Sequence, residues 1–534
     1  MKYIFILISS LLLLATEVCL GQNVVNFRWS VDCSQHCDFQ DPDNWVGGDA
    51  PGTGDIATID LTEYKYNSAL IQLSSDIINI EYINITGAPE NCHFIFQINN
   101  NAQVIANHFL ATGNVAVIMD SYANVIVQST FMIDDSRLLV NTNAVLNMTT
   151  FTSSLTCSTI IGQGSILSVI DSASIGGTLE SIDTSHINFQ GKIVFADSAN
   201  VTVSGSIKFG DDQVIFLNGS TSIFSQGLES SGQLLLDYSY VTVYGSFIAN
   251  HVNLTGDSTL DIVRSSYSRS VQTQIASIVS EDLSVFSVEN HDLATIQQFD
   301  LKGYALFINT TLSLVDGVAN TIVFEEPVND ITITNCLIYS TITHNTTSQF
   351  NLVLQGTTEL YHVNATNCHM TVNDLIYFIG SNIGLYGQSS SIEILNGSTL
   401  VISNSYLTVP IISADGASIN IADQTNIIGN VQISSSNLTF GEFKVEGDML
   451  IGAQSNVNVD VETFSTQTWN TPVQIYGSLK FAGNHLTVLP TTTRIVPPIS
   501  YYILEATNTL SIDTSICTYS NGNGNSTFSL QGTY

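Results

Sequence analysis

Short runs in which apolar and polar residues alternate recur along the chain after Asp55. They are rich in Val, Ile, Leu, Phe and Thr and are bounded by Gly, Asn, Asp and Ser, as in Asn124–Gln128, Asn200–Ser204 and Asn456–Val461. Alternation with a period of two predicts strands with one buried and one exposed side. Apolar residues at helical spacing are almost absent, and only Ser270–Phe299 is expected to contain a helical turn or two. The pattern predicts an all-β fold.

The beginnings of these runs repeat at a regular spacing. Ala102, Ala123 and Ala144 each open a run, and they are 21 residues apart. Gly-Ser pairs followed by an apolar residue recur at intervals of 41 and 40 residues, or two such periods, at Gly164, Gly205 and Gly245. A repeat of about 20 residues is the length of one coil in a solenoid protein.

Two further sequence echoes lie far apart in the chain. Leu217-Asn-Gly-Ser-Thr is repeated from Leu395, and Tyr244-Gly-Ser is repeated from Tyr476. The predicted fold class is therefore an elongated parallel β-solenoid (β-helix) with coils of about 20 residues, on the order of 22 of them, and a cap at each end. A string of β-sandwich domains is the alternative, because it also produces short strands separated by turns.

The predicted organisation has four parts. Residues 1–21 form a signal peptide and residues 22–60 an N-terminal cap with a Trp and a Cys pair. Residues 61–488 carry the solenoid repeats, which are irregular around 264–302, and residues 489–534 form a C-terminal β cap. The cap begins at the proline-rich segment Leu489–Pro498, since proline lacks the N–H that a sheet ladder needs.

The first residues predict secretion. Met1–Tyr3 carry one positive charge, the run Ile4–Ala15 is apolar apart from two serines, and small residues follow at Cys19 and Gly21. These are the parts of a secretory signal cleaved before Gln22, and the apolar run is short for a membrane-spanning helix. The C-terminus lacks the apolar tail of a lipid-anchor signal. We therefore expect a secreted, extracellular chain without direct membrane insertion.

Charge narrows the possible partners. The chain has 12 Lys and Arg against 46 Asp and Glu, giving a formal net charge of -34, and its polarity comes mainly from uncharged side chains. Such an acidic chain repels nucleic acid and anionic membranes. The expected partners are extracellular matrix or cell-surface glycans or proteins.

Candidate N-glycosylation sites are spread along the whole chain. A glycan must lie on the surface, so their spread predicts an exposed position in nearly every segment. The eleven Asn-x-Ser/Thr sequons are at Asn84, Asn147, Asn200, Asn218, Asn253, Asn309, Asn345, Asn364, Asn396, Asn437 and Asn525.

Seven cysteines remain after removal of the signal peptide. In an oxidising compartment some should pair, and Cys33 with Cys37 is the predicted disulfide because the two are near neighbours in an irregular segment. The odd number leaves at least one thiol free or bonded between chains, and the pairing of the others stays open. They are Cys92, Cys157, Cys336, Cys368 and Cys517.

Candidate catalytic and metal-binding groups are few, and each has a plainer interpretation. Polysaccharide-cleaving β-helices need clustered aspartates together with cations, and the acidic doublets Asp134-Asp135 and Asp211-Asp212 are the nearest match. Neither doublet lies among several histidines and arginines, so both are interpreted as solvated turns.

Two further sets of residues could bind a metal. Asn91-Cys92-His93 and Asn367-Cys368-His369, with an echo at Cys336, are interpreted as core cysteines beside surface histidines. His36 between Cys33 and Cys37 could complete a zinc site, but a disulfide is the preferred interpretation. Five cap acids could hold calcium, with capping of N-terminal turns as the alternative, and they are Asp38, Asp41, Asp43, Asp49 and Asp55. We therefore predict no catalytic residue, no metal and no cofactor.

The N-terminal segment carries a resemblance. The resemblance is carried by Trp29, by Asn44-Trp45 and by Pro51-Gly-Thr-Gly-Asp-Ile-Ala. With these residues the segment resembles the N-terminal region of secreted, adhesin-like β-solenoid proteins, such as bacterial autotransporter passengers and large extracellular proteins of social amoebae. The motif covers about 35 residues, and the rest of the chain is similar only in repeat style and composition. The chain departs from autotransporters by having no membrane-barrel module at its C-terminus. The resemblance implies an extracellular location and a structural or adhesive role.

The functional expectation has two branches. The first is a non-enzymatic secreted glycoprotein that acts as an extracellular structural or adhesive scaffold. The alternative is a polysaccharide-binding or polysaccharide-degrading β-helix protein. A row of aromatic and acidic side chains on one face would favour the alternative, whereas a face of Asn, Ser and Thr with glycans would favour the scaffold.

Overall fold

A computed structural model gives the structure of the chain. It describes residues 23–28, 31–74, 76–87, 92–264, 271–281, 283–291, 293–308, 312–325, 330–344, 349–422, 424–461, 473–490, 504–512 and 517–519. The chain divides into two compact units, Met1–Ser268 and Arg269–Tyr534. Trp29, the predicted signal peptide and three sequons (Asn309, Asn345 and Asn525) lie outside the described residues.

Nearly every described element is a strand. The strands of unit 1 are β1 (Val24–Asn26), β2 (Cys37–Asp38), β3 (Ile56–Asp60), β4 (Ser68–Leu73), β5 (Ile77–Thr86), β6 (His93–Ile98), β7 (Gln103–Thr112), β8 (Val115–Met119), β9 (Asn124–Asp134), β10 (Arg137–Val140), β11 (Val145–Ser153), β12 (Ser158–Ile161), β13 (Ile166–Ile175), β14 (Thr178–Ser181), β15 (His186–Phe189), β16 (Lys192–Phe195), β17 (Asn200–Val203), β18 (Ser206–Phe209), β19 (Val214–Phe216), β20 (Thr221–Phe224), β21 (Leu228–Asp237), β22 (Tyr240–Tyr244), β23 (Phe247–Thr255) and β24 (Thr259–Val263).

Unit 2 continues in the same style. Its strands are β25 (Gln272–Ser280), β26 (Val285–Glu289), β27 (Leu293–Ile308), β28 (Leu312–Glu325), β29 (Asp330–His344), β30 (Phe350–Gln355), β31 (Thr357–Thr366), β32 (Cys368–Val372), β33 (Leu375–Ile379), β34 (Asn382–Tyr386), β35 (Ser391–Ile394), β36 (Thr399–Ser403), β37 (Tyr406–Asp415), β38 (Ser418–Ala422), β39 (Thr425–Ser434), β40 (Asn437–Phe440), β41 (Phe443–Glu446), β42 (Met449–Ile451), β43 (Asn456–Val461), β44 (Val473–Ile475), β45 (Ser478–Phe481), β46 (His485–Pro490), β47 (Leu504–Ala506), β48 (Thr509–Ser511) and β49 (Cys517–Tyr519). One 3-10 turn, Pro42–Asn44, lies in the N-terminal segment.

The predicted parallel β-solenoid is confirmed. In unit 1, β7 bends at Asn107 and so contributes to two faces, which we call face A (the residues in register with Gln103–Ala106) and face B (those in register with His108–Thr112). Face C consists of the residues in register with β8. Each next turn pairs in parallel with the one before it, as β7 does with β9. The described residues of the two units contain about 17 turns of about 21 residues.

The alternation of the sequence produces the core. Along face A, Val104, Val125, Leu146 and Leu167 follow one another in register, and each is fully buried. Burying one such side chain stabilises the fold by about 1.5–3 kcal/mol. Phenylalanines stack in the same way on face B, for example Phe109 on Phe131 with 4.9 Å between ring centroids. Among the described residues of unit 1, these columns run through several turns and form one continuous core, rather than the separate cores expected of β-sandwich domains.

The alanines that recur every 21 residues lie at equivalent corners of successive turns. The backbone N–H groups of Ala102, Ala123 and Ala144 each donate to the carbonyl of the residue three positions earlier. The N–H of Asn124 donates in turn to the carbonyl of Ala102 on the preceding turn. The residue before Ala123, Tyr122, has a positive φ of 63°, so each corner bends sharply before the next strand begins.

The repeated Gly-Ser pair at Gly164 is displaced by one position relative to the pair at Gly205. Strand pairing aligns Ile166 with His186 and His186 with Ser206, which places Ile166 in the column of Ser206 rather than Ile207. As a result Ile166 points outwards and is 38% exposed, whereas Ile207 is buried. The spacing of two turns holds for both intervals, but the register fails only between Gly164 and Gly205. From Gly205 to Gly245 the repeat is in register, since Lys208 pairs with Glu229 and Glu229 with Ile248. A one-residue slip moves a side chain to the opposite side of a strand.

Aromatic side chains fill the N-terminal end of unit 1. Trp45 is fully buried, and its Nε1 donates to the carbonyl oxygen of Phe39 at 2.7 Å. Its ring meets Phe27 and Phe39 edge to face, at 5.4 and 5.0 Å between centroids. The turn Pro51–Gly54 leads into β3, and the side chain of Asp55 accepts the N–H of Gly52 at 2.8 Å. Trp45 therefore fills the N-terminal end of the strand stack, and the Pro-Gly segment forms the turn before β3.

Unit 2 is built from the same kind of turn. In β27, β28 and β29 a single strand of 14 to 16 residues contributes to all three faces of its turn. The later turns divide into shorter strands. The inward residues again align, as Leu312, Ile331 and Leu352 do.

One expectation for the chain after residue 263 needs correction. The helical turns expected in Ser270–Phe299 are absent from its described residues, which form β25, β26 and the first part of β27. Gln272–Ser280 pairs with β27 in parallel, so this part of the chain takes part in the solenoid pairing. The apolar spacing that suggested a helix arises where β25 bends between two faces, with Ile275 and Ile278 both buried.

The C-terminal segment also joins the solenoid pairing. The described residues of 489–534 form β47, β48 and β49, which pair in parallel with β44, β45 and β46. A proline at the end of β46 is compatible with this pairing because it is the last residue of the strand.

The interior of unit 1 also contains serine hydroxyls. Ser222 points inwards on face C between Val201 and Val241, and its Oγ has no hydrogen-bond partner. Ser136 is also buried, but its Oγ donates to the carbonyl oxygens of Asp134 at 2.8 Å and Ala111 at 3.3 Å.

These two serines give a matched prediction. Ser222→Ala should leave the free energy of unfolding unchanged or raise it by up to about 1 kcal/mol, because an unsatisfied buried hydroxyl is removed. Ser136→Ala should lower it by about 1 kcal/mol, because the hydrogen bond that this hydroxyl donates is lost. Urea denaturation of both variants checks the pair, and equal effects would contradict the assignment of these hydroxyls.

Candidate functional site

The acidic doublets lie at corners of unit 1. Asp211 and Asp212 are exposed, between β18 on face A and β19 on face B. With Gln190, Lys208, Gly210 and Ser231 they line a shallow depression. The ammonium group of Lys208 is 3.1 Å from the carboxylate of Glu229, and both side chains are more than half exposed. The doublet has the form of a solvated turn beside an ion pair.

The second doublet takes part in turn hydrogen bonding. Asp135 has a positive φ of 46°, and its N–H donates to the hydroxyl of Ser154. Its carbonyl accepts the N–H of Asn114 at 2.6 Å. Asp134 and Asp135 therefore shape the corner before β10.

The repeated Asn-Cys-His segments have the arrangement that the sequence indicates. Cys92, Cys336 and Cys368 are buried, whereas His93 is exposed and His369 half-buried. His369 contacts the Ser391 hydroxyl at 2.6 Å and the Glu393 carboxylate at 3.1 Å. Asn91 lies outside the described residues. Each cysteine faces the interior and each histidine faces outwards, so neither copy presents both groups to one ligand.

The predicted disulfide between Cys33 and Cys37 is confirmed, with 5.1 Å between their Cα atoms. His36 between them is exposed. The hydroxyl of the buried Tyr64 accepts the N–H of Cys33 at 2.9 Å, and burial raises the pKa of Tyr64. This hydrogen bond connects the disulfide loop to the segment between β3 and β4.

Three of the five cap acids cap turns. The carboxylates of Asp38, Asp41 and Asp55 accept the N–H groups of Gln40, Asp43 and Gly52. In the described part of the chain, no three His, Cys, Asp or Glu side chains form a group that could hold a metal ion. The structure also has, within those residues, no helix with the length and apolar character needed to cross a membrane.

The sequon asparagines lie at surface positions. Among the eight in described segments, none is buried. Asn84, Asn147 and Asn253 are partly exposed, and the exposed ones are Asn200, Asn218, Asn364, Asn396 and Asn437.

Unit 2 presents a face with several tyrosines, which the sequence reasoning missed. We call it face F, and it consists of His362–Thr366, β34, Tyr406–Thr408, Thr425–Ile428, β41 and β44. Tyr386, Tyr406 and Tyr476, the last directly after β44, are 43 to 50% exposed. The alternation of each strand could have identified them as outward aromatic residues, but only the register assigns them to one face.

A lysine lies among these tyrosines. Lys444 is two turns beyond Tyr406 in the same outward column, with Asn426 between them. Its ammonium group is 4.4 Å from the centroid of the Tyr476 ring and 2.8 Å from the carboxylate of Glu446. The hydrogen bond to Glu446 raises the pKa of Lys444.

Comparison with known proteins adds no relative. No protein-family model, no curated protein and no solved structure matches this chain.

The buried thiols give a second prediction. Cys368 is fully buried, and burial raises the pKa of its thiol well above the ordinary value, so the reactive thiolate is scarce at neutral pH. In the native protein, alkylation of Cys368 by iodoacetamide should be at least about 100-fold slower than in denaturant. Peptide mass spectrometry checks this, and full labelling of Cys368 in the native protein would contradict it.

Proposed function

We propose that this chain is a non-enzymatic, secreted and N-glycosylated scaffold that serves a structural or adhesive role outside the cell. The observation that carries the proposal is the placement of the eight described sequon asparagines, since none is buried. A glycan requires surface positions, and outward positions alternate with inward aliphatic ones in every turn.

The outward columns support the same role, because hydrogen bonds donated by amide side chains connect neighbouring turns. The amide of Gln72 donates to that of Gln97 at 3.0 Å, and Gln97 donates to Asp120 at 2.6 Å. Asn141 on the next turn also donates to Asp120. Ladders of this kind stabilise stacked strands and make little use of ion pairs. They suit a scaffold that must present a polar surface at varying salt concentration.

Expression of the full chain in a eukaryotic secretory host tests the proposal. The protein should enter the medium, and N-glycosidase should lower its mass by several glycans. Secreted protein should then adhere to matrix or cell-surface preparations without degrading polysaccharides. Retention inside the cell with unmodified asparagines would overturn the proposal, as would turnover of a polysaccharide that is abolished by Asp211→Asn with Asp212→Asn.

Polysaccharide binding is the second candidate, and face F favours it. Exposed tyrosine rings can stack on sugar rings, and Tyr406 and Tyr476 lie on either side of Lys444 along the turns. A panel of neutral and acidic polysaccharides, applied to the protein and to its Tyr406→Ala/Tyr476→Ala variant, separates the two roles. Binding that falls about tenfold or more in the variant would make face F a ligand site.

A further inference from the structure

The outer edge of the Tyr386 ring lies over Gly384 of its own strand. Gly384 occupies an outward position of β34 yet is buried, because Tyr386 covers it. A methyl carbon built on Gly384 would be 2.6 Å from Tyr386 Oη and 2.8 Å from Cε2. Gly384 is not among the residues with positive φ, so its backbone does not require glycine. What the missing side chain provides is room for the ring.

A sequon lies directly opposite this ring. Strand pairing places Asn364 beside Gly384 and Thr366 beside Tyr386 on the neighbouring turn. Adjacent strands are about 4.8 Å apart, so the ring that covers Gly384 is next to the Asn364 side chain. Asn364 is exposed, and Tyr386 is 49% exposed, with the outer edge of its ring over Gly384. An acceptor asparagine and an open aromatic surface thus lie side by side.

The chemistry of an N-glycan fits this arrangement. Attachment joins Asn364 Nδ2 to C1 of N-acetylglucosamine, with loss of one amide proton and departure of the lipid pyrophosphate that carried the oligosaccharide. One face of that sugar presents mainly C–H groups, which pack favourably on an aromatic ring. We propose that the first sugar of the glycan on Asn364 stacks on Tyr386, so that Tyr386 and Gly384 form a platform that holds this glycan against face F. The inference rests on the proposed N-glycosylation.

Two other sequons in strands, Asn437 and Asn200, lack such a platform. Asn437 lies between Ser418 and Asn456, and Asn200 lies between Thr178 and Thr221. None of these four partners is aromatic, and neither is the residue two positions after any of them, which is the position that Tyr386 has relative to Gly384. Asn437 is in unit 2 like Asn364, so it provides the matched control.

The experiment is a double-mutant cycle on the glycosylated full chain. Asn364→Gln should lower the melting temperature of unit 2 by roughly 2–4 °C, whereas Asn437→Gln should change it by less than about 1 °C. In a Tyr386→Ala background, Asn364→Gln should have less than about half of its former effect, because the stacking is already lost. Tyr386→Phe keeps the ring and should preserve the full effect.

A second measurement reports the contact directly. In NMR spectra of the protein trimmed to single N-acetylglucosamine residues, the sugar on Asn364 should show ring-current shifts. Tyr386→Ala should abolish these shifts and Tyr386→Phe should retain them. Gly384→Ala should reduce them, because the added methyl lifts the ring.

Each outcome decides one claim. If Asn437 carries a glycan and Asn364 does not, the platform is refuted while the proposed function stands. If no asparagine is modified, both fall. If Asn364 is glycosylated but the effects of Asn364→Gln and Tyr386→Ala simply add, and no ring-current shift appears, the platform is refuted.

Discussion

Replacing Trp45 with alanine should lower the free energy of unfolding of unit 1 by about 3–5 kcal/mol. Trp45 is fully buried, its ring contacts Phe27 and Phe39, and its Nε1 donates to the carbonyl oxygen of Phe39. Alanine would leave a large cavity at the N-terminal end of the strand stack and an unpaired carbonyl. Urea denaturation monitored by circular dichroism measures the loss.

Two variants make the Trp45 result interpretable. Val46→Ala changes the neighbouring residue, which is 59% exposed, and should shift stability by less than about 0.5 kcal/mol. Trp45→Phe keeps an aromatic ring but loses the hydrogen bond. Its loss of unfolding free energy should therefore lie between those of Val46→Ala and Trp45→Ala. A Trp45→Ala cost no larger than that of Val46→Ala would show that the N-terminal segment does not stabilise unit 1.

Gly191→Ala should lower the free energy of unfolding of unit 1 by about 3 kcal/mol, which is the upper part of the range for overpacking in a rigid site. Gly191 lies at the corner between faces A and B, where an added methyl would collide with the carbonyl oxygen of Asp171 on the preceding turn. The colliding atom is backbone and cannot rotate away. The stacking of the two turns would therefore have to open.

Gly52→Ala is the control for this substitution. A methyl there would meet only the Asp55 carboxylate, at an ordinary 3.6 Å, and should change stability by less than about 0.5 kcal/mol. Comparing the melting temperatures of the two variants distinguishes a steric clash at Gly191 from the general effect of replacing a glycine by alanine. Equal melting temperatures would mean that the corner at Gly191 has room for a side chain.

The sequence predicts the solenoid because its strongest signal, the regular spacing of corner residues, can be read directly from the chain. Ala102, Ala123 and Ala144 recur at the spacing of one turn, and each is a buried corner residue. Where the turn length varies, the same reasoning loses the register. Ile56 pairs with Tyr82, 26 positions on, whereas Tyr240 pairs with Thr259, 19 positions on. No single period places both pairs.

The candidate site shows the same division. That Cys368 faces inwards and His369 outwards follows from alternation within one strand, and the sequence predicts it. That Asn364, Gly384 and Tyr386 lie together depends on which residues of β31 and β34 pair. Twenty residues separate Asn364 from Gly384, and a shift of one residue would put Tyr386 on the other side of the sheet. The sequon was therefore predictable, but its aromatic neighbour was not.

The matching corners at Ala102, Ala123 and Ala144 also bear on how such a chain can change length during evolution. A turn that begins at one of these alanines offers the next turn the same ladder of donors and acceptors that it receives from the one before. Duplicating or deleting the gene segment for one such turn would leave the backbone hydrogen bonding of the remaining junctions unchanged. Variation in size among descendants of this protein should therefore come in whole steps of about 21 residues, and partial insertions should concentrate at the corners.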